Sequence, residues 1–197
     1  MSDSPRAAQT ATHWGEMTSL AGLATFVVTV GVLHALQPGY DPTNQLMSEL
    51  ALGPHGWAMF AAFAGLAIAV FGIQSAAGVA GAPLGFRLLL MIASLFFLAA
   101  GIFPLGTTSE IHIAAIASAF MLSVLAMYLF PGSAGGAARA APRAVSWPLA
   151  AGVAVSVGLG HSLLPMGIGQ RLAALFLLTW LGLVAWRLLE LNQREGK

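Results

Sequence analysis

Three histidines, an acid-bearing segment and a lone arginine are the parts of this 197-residue chain whose types and spacing could do chemistry. His34 falls about one turn before the end of an apolar run, His112 at the first turn of another, and His161 about one turn before the end of a third. All three therefore belong at similar depth. The chain has no cysteine, but three imidazoles could bind a zinc ion and leave its fourth position open. Two of them on facing helices could instead hold a haem axially. Both arrangements need convergence across helices, so no cofactor is firmly implied. Taken singly, each histidine reads as an interfacial side chain bonded to a carbonyl or a headgroup.

The segment from Gln37 to Trp57, QPGYDPTNQLMSELALGPHGW, is the richest in polar groups. Asp41-Pro42 has the form of a helix N-cap followed by the first helical residue. That predicts a short interfacial helix from Pro42 to Ala51, with Leu46, Met47 and Leu50 on one apolar face. Ser48 and Glu49 have no capping role in this scheme, so Glu49 is the acid most available for function. Glu110, by contrast, completes a capping box opened by Thr107. Arg171 sits in the first turn of the last apolar run, where a cation opposes the helix dipole. It calls for a partner such as Glu49 or Asp41, or for a lipid phosphate reached by snorkelling. Gln170 beside it can donate and accept, which suits a pocket wall. There is no H-E-x-x-H, no G-x-S-x-G and no P-loop, so the residues leave open whether the chain catalyses anything.

The elements that must position these groups follow from composition. The chain is 58% hydrophobic and only 8% charged, against roughly 25% charged in soluble domains. Apolar runs cover Thr18–Leu36, Trp57–Val79, Leu88–Leu105, Ile111–Phe130, Trp147–Leu164 and Leu172–Leu189. At about 1.5 Å of rise per residue, each reaches or approaches the width of a bilayer core of about 30 Å. The runs are continuous rather than alternating, so they are helices and not barrel strands. Small residues recur four apart, as in Ala61, Gly65 and Ala69 or Gly152, Ser156 and Gly160, a pattern that lets helix backbones approach. The expected fold is all-α: a polytopic membrane protein, a compact bundle of six transmembrane helices over residues 18–190. Polar tails at 1–17 and 191–197 flank it.

Seven of the eight basic residues (Arg6, Arg87, Arg139, Arg143, Arg187, Arg194 and Lys197) fall in segments that share one face, and only Arg171 falls on the other. The positive-inside rule then puts both termini in the cytoplasm. His34, Asp41, Ser48, Glu49, His112, His161, Gln170 and Arg171 become a candidate pocket on the far side. A net charge of +1 leaves no basic field for nucleic acid. The expected setting is a multi-pass protein of a cell membrane. The expected partners are the lipid bilayer, a lipid or small-molecule ligand, and a second copy of the chain as a homo-oligomer.

The Ser48-Glu49-Leu50 segment with Gly53, Pro54 and Trp57 is followed by Gly101-Ile102-Phe103-Pro104 and His112. Gly167-Ile168-Gly169-Gln170-Arg171 comes next, with Trp180 and Arg187 beyond it. In these motifs the chain resembles the bacterial and archaeal family called domain of unknown function 998, over roughly residues 18–190. The resemblance implies about six spans and a bacterial inner membrane as the setting, and it carries no reaction to transfer. Ser48-Glu49-Leu50 and the later histidine are also similar to a broader set of six-span proteins related to autophagy modulators and lipid-linked membrane factors. That likeness implies a lipid-facing role without catalysis.

The expectation is thus a polar pocket at the non-cytoplasmic side that binds or processes a small or lipid-derived polar group. Alternatives are a non-catalytic lipid-interacting or scaffold subunit, a small transporter, or a metal- or haem-binding membrane protein. The nearly apolar middles of the third and fourth runs weigh against a transport path.

Overall fold

The computed structural model describes residues 4–129, 137–160 and 162–195. Its helices are α1 (Ser4–Leu36), α2 (Met59–Val79), α3 (Leu84–Ile102), α4 (Ser109–Leu129), the single turn α5 (Ala137–Ala140), α6 (Arg143–Leu159) and α7 (Met166–Glu195). Two short 3₁₀ turns, Met47–Leu52 and Gly56–Ala58, lie in the connection between α1 and α2. No strand occurs among the described residues. Among the described residues, five helices are long and apolar enough to cross a membrane: α1 from Trp14, α2, α3, α4 and α7 to Leu191. The 17-residue α6 is apolar but shorter, about 25 Å at the usual rise. The chain is a multi-pass membrane protein built as a helical bundle, which is the expected class.

Neighbouring helices run antiparallel. Gly15 of α1 lies against Gly72 and Ala76 of α2, while Gly22 lies against Gly65 and Ala69. A Cβ on Gly22 would stand 2.4 Å from the Gly65 carbonyl oxygen, so α1 and α2 touch backbone to backbone, as small residues permit. Gly101 at the end of α3 meets Phe60 and Phe63 at the start of α2. Tyr128 at the end of α4 stacks on Trp147 at the start of α6, with centroids 5.3 Å apart. The contacts then close a ring: α1 on α2, α2 on α3, α3 on α4, α4 on α6, α6 on α7, and α7 back on α1. The ring has two ends. One carries Arg87, Arg139, Arg143 and Arg187. The other is capped by the connection 37–58 and carries Arg171.

The core between them is Leu, Phe, Ala and Val, with Trp180 fully buried and its indole N–H donating to Ser146 Oγ at 2.9 Å. In lipid no hydrophobic force drives helices together, so close small-residue packing and such buried hydrogen bonds hold the bundle.

Several boundaries differ from the expected ones. Residues 1–17 read as a polar tail, yet α1 begins at Ser4, and Glu16 and Ser19 are fully buried. The stretch 42–46 is not helical: the first 3₁₀ turn starts at Met47. Helix α6 stops at Leu159 rather than running to Leu164, because the amides of Ser162, Leu163 and Leu164 all turn back onto the Leu159 carbonyl. Gly167 and Gly169 lie inside the first turns of α7, ahead of the expected start at Leu172, where close approaches demand them: a Cβ on Gly169 would sit 2.6 Å from Gly160 Cα. At α4 the helix opens at Ser109, with the His112 amide on the Thr108 carbonyl at 3.0 Å. Thr108 therefore takes the position assigned to Thr107.

Candidate functional site

Arg171 is where the capping connection meets the bundle. Its Nη1 donates to the carbonyls of Gln45 at 2.9 Å and Gly167 at 2.8 Å. Its Nη2 donates to His34 Nε2 at 3.0 Å and to the Tyr40 hydroxyl. His34 Nδ1 in turn donates to the Val30 carbonyl at 2.7 Å, so Nε2 presents a lone pair and the ring is the neutral Nδ1–H form. The Tyr40 hydroxyl itself donates to the Leu46 carbonyl at 2.9 Å. Burial raises the Tyr40 phenol above its ordinary value despite the neighbouring guanidinium, which lowers it. All of Arg171's hydrogen-bond partners among the described residues are neutral. Neither Glu49 nor Asp41 is among them, which corrects the expectation of a carboxylate partner. A guanidinium can do this because its donors form a planar fork that four acceptors can surround.

The two acids have local roles instead. Glu49 Oε1 accepts the Leu46 amide at 2.8 Å, and Gln45 Nε2 reaches Glu49 Oε2 at 3.3 Å. Glu49 thus caps its own 3₁₀ turn, a role that placing the helix start at Pro42 concealed. Asp41 is exposed and accepts Asn44 Nδ2 at 2.6 Å and the Thr43 amide at 2.8 Å. Those two donors hold its carboxyl below the usual range. Gly167 completes the seam: its missing Cβ would lie 2.5 Å from the carbonyl oxygens of Pro42 and Gln45.

Beneath this cap α4 and α7 face each other across a cavity of about 480 Å³ walled by α6. Its polar lining gathers at the capped end: Ser48 from the 3₁₀ turn, His112 from the start of α4, Ser156 from the end of α6 and Gln170 from the start of α7. Deeper in, the walls are apolar, with Phe120, Met121, Val124 and Val153. Ile113 and Met121 are 56% and 66% exposed, so the cavity opens sideways on the surface that would meet lipid.

His112 is only 2% exposed. Its Nδ1 contacts the carbonyls of Ala100 at 2.8 Å and Phe103 at 3.0 Å. Two carbonyls require a proton on Nδ1, so in the neutral ring Nε2 is an acceptor, and that atom is buried with no hydrogen-bond partner among the described residues. Phe63 packs edge-on against the ring at 5.4 Å. Gln170 accepts the Met47 amide through its side-chain oxygen at 2.6 Å.

The eight residues expected to share a pocket therefore divide. Ser48, His112 and Gln170 line the cavity, while His34 and Arg171 build the latch above it. Asp41 and Glu49 shape the connecting turns, and His161 lies outside the described residues. Among the described residues no set of three or more His, Asp or Glu side chains gathers as metal ligands. His34 has both ring nitrogens engaged, so it does not join His112 as a ligand pair. Two contributors went unrecognised in the sequence. Ser156 reads there only as a small residue for packing. Tyr40 sits in a Pro-Gly-Tyr-Asp-Pro turn whose pattern signals a turn and nothing more.

No curated protein and no solved structure matches the chain, so the second likeness, to lipid-linked membrane factors, gains no support. The profile of one family, described as protein of unknown function (DUF998), matches residues 20–187. That stretch contains every described residue of the cap, the latch and the cavity, and the chain belongs to this family.

Proposed function

We propose that this protein is a lipid-binding protein of a cell membrane that takes an amphipathic, lipid-derived molecule into the cavity between α4, α6 and α7. The observation that carries this reading is the polarity of that cavity. Polar groups collect at one end, apolar walls fill the rest, and the opening faces sideways. Ligand sites are mostly apolar with a few placed polar groups, and this one has room within the usual range of about 300–1,000 Å³. The cap and latch then serve to hold Ser48 and Gln170 at the head of the cavity.

In this proposal α6 completes a sixth crossing, with interfacial Trp147 and the flanking turns making up its short length. Both termini lie in the cytoplasm, supported by Arg87, Arg139, Arg143 and Arg187 at one end and Arg171 alone at the other.

Mass spectrometry of lipids that copurify with the protein tests the reading. Ala117 and Ala154 line the cavity and are exposed, so tryptophan at either position fills it without disturbing the core. The wild type is expected to retain a lipid that both Ala117→Trp and Ala154→Trp lose. Identical lipid content in all three proteins would sink the proposal.

A further inference from the structure

We infer that the arginine-bearing end of the bundle holds an anionic phospholipid at the seam between α4 and α6, with its phosphate on Arg143. The inference stands apart from the cavity reading, since the site lies at the opposite end from the cap. A guanidinium held in place without a partner is the first argument. Arg143 is exposed and lies over the Trp147 ring, 5.4 Å from its centroid. Trp147 is itself fixed. It stacks on Tyr128 at 5.3 Å and 16°, and its indole N–H donates to the Tyr128 carbonyl at 3.1 Å. An aromatic face attracts the cation above it, and that contact leaves the N–H edge of the guanidinium free. Among the described residues that edge meets neither a carboxylate nor a carbonyl.

The sign of the surroundings is the second. Arg139, also exposed, comes four residues before Arg143. Buried Ala140 and Ala141 anchor the backbone between them, and the Ala140 carbonyl accepts Arg187 Nη1 at 3.4 Å. The acidic side chains described at this end are those of Glu16 and Glu190. Glu16 is fully buried in α1, and Glu190 Oε1 accepts the Trp186 indole N–H at 2.9 Å. Two exposed arginines thus face outward with no carboxylate set against them among the described residues. A phosphate offers two oxygens at the spacing of one guanidinium edge.

Depth is the third. Tyr128 lies exposed in the last turn of α4 and Trp147 in the opening turns of α6. That is the level at which amphipathic rings settle among headgroups. Leu125, exposed one turn nearer the middle of α4, stands where the acyl chains begin. The stack therefore sets Arg143 at the height of lipid phosphates rather than in open water, which selects a lipid over a soluble anion.

Native mass spectrometry of the full-length protein in detergent tests the site, with phosphatidylglycerol and phosphatidylcholine of identical chains as probes. An arginine near a membrane surface strengthens binding to anionic lipid on the order of fivefold. The wild type is therefore expected to prefer phosphatidylglycerol by about tenfold, and Arg143→Gln to lose about fivefold of that. Trp147→Leu keeps both charges but removes the platform, and should lose about threefold. Arg87 lies at the same end against Gly78 of α2, so Arg87→Gln removes an equal charge away from the seam and should bind as the wild type does. Equal losses in Arg87→Gln and Arg143→Gln would mean a diffuse field and overturn the site. Equal binding of the two lipids, unchanged binding in Arg143→Gln or Trp147→Leu, or displacement by excess inorganic phosphate would overturn it as well. Ala117→Trp should keep the phosphatidylglycerol, so this site and the cavity fail separately. Loss of that lipid in Ala117→Trp would place it in the cavity and overturn the inference.

Discussion

Arg171 and His34 meet through a hydrogen bond of 3.0 Å between Nη2 and Nε2, tying the last helix to the first at the capped end. The bond holds because His34 is neutral and turns a lone pair toward the cation. Arg171 thereby joins α1, the 37–58 connection and α7 without a carboxylate. Arg171→Leu should lower stability by about 2–3 kcal/mol, the scale for charged hydrogen bonds lost. Arg171→Lys should recover little, because an ammonium cannot present a planar fork to the same acceptors. Thermal unfolding in detergent measures both, and a lysine variant as stable as the wild type would contradict the fork geometry.

Glu49 distinguishes a capping role from a functional one. Glu49→Gln retains an oxygen for the Leu46 amide and should leave stability and lipid retention near wild type. Glu49→Ala removes it and should cost about 0.5–2 kcal/mol, as capping losses do. Loss of lipid retention in the glutamine variant, with stability intact, would return Glu49 to the site.

Glycine 167 is required by proximity. Gly167→Ala places a methyl 2.5 Å from the carbonyls of Pro42 and Gln45 and should destabilise by about 1–3 kcal/mol. Gly31→Ala has nothing within 4 Å and should be neutral or slightly stabilising. Equal melting shifts for the two would show that the connection does not dock on α7.

The capped end should respond to pH in both directions. Tyr40 has a folded pKa raised by burial above the ordinary 10.0. Its contribution is complete below the unfolded value and is lost as pH rises from there through the folded one. Asp41 has a folded pKa lowered from 3.8 by Asn44 and Thr43. Its contribution is present above the unfolded value and is lost as pH falls through the folded one. Hydrogen exchange over residues 37–58 should therefore quicken at both extremes, and Tyr40→Phe should abolish the alkaline arm alone.

Orientation can be read by labelling, because the chain has no native cysteine. Asn44→Cys and Leu84→Cys both place a thiol at an exposed position, at opposite ends of the bundle. An impermeant maleimide added to intact spheroplasts should label the first, and should reach the second only after permeabilisation. The reverse pattern would invert the proposed topology.

The sequence by itself determined the class of this protein. Continuous apolar runs with few charges can satisfy their backbone in lipid only as helices, and that argument needs no neighbour. The runs near α2, α3 and α4 were legible to within a few residues for this reason, whereas α7 extends six residues beyond the expected run at each end; the motifs also carried the family. What depended on neighbours was not legible. Spacing put His34, Glu49, His112 and Arg171 at one end of the bundle, and it could not say which would touch. Depth along a helix is set by residue count, but partnership is set by rotation about the axis and by how close two backbones come. Gly167 and Gly169 let the connection and α6 press onto α7, and that approach gave Arg171 neutral partners in place of a carboxylate. It also left Glu49 to cap its own turn. His112 and Gln170 were separated from the latch by the same packing and now line the cavity with Ser48. Buried Glu16 makes the same point from the other end: polarity suggested a tail, and only the closeness of α1 to α2 placed it inside.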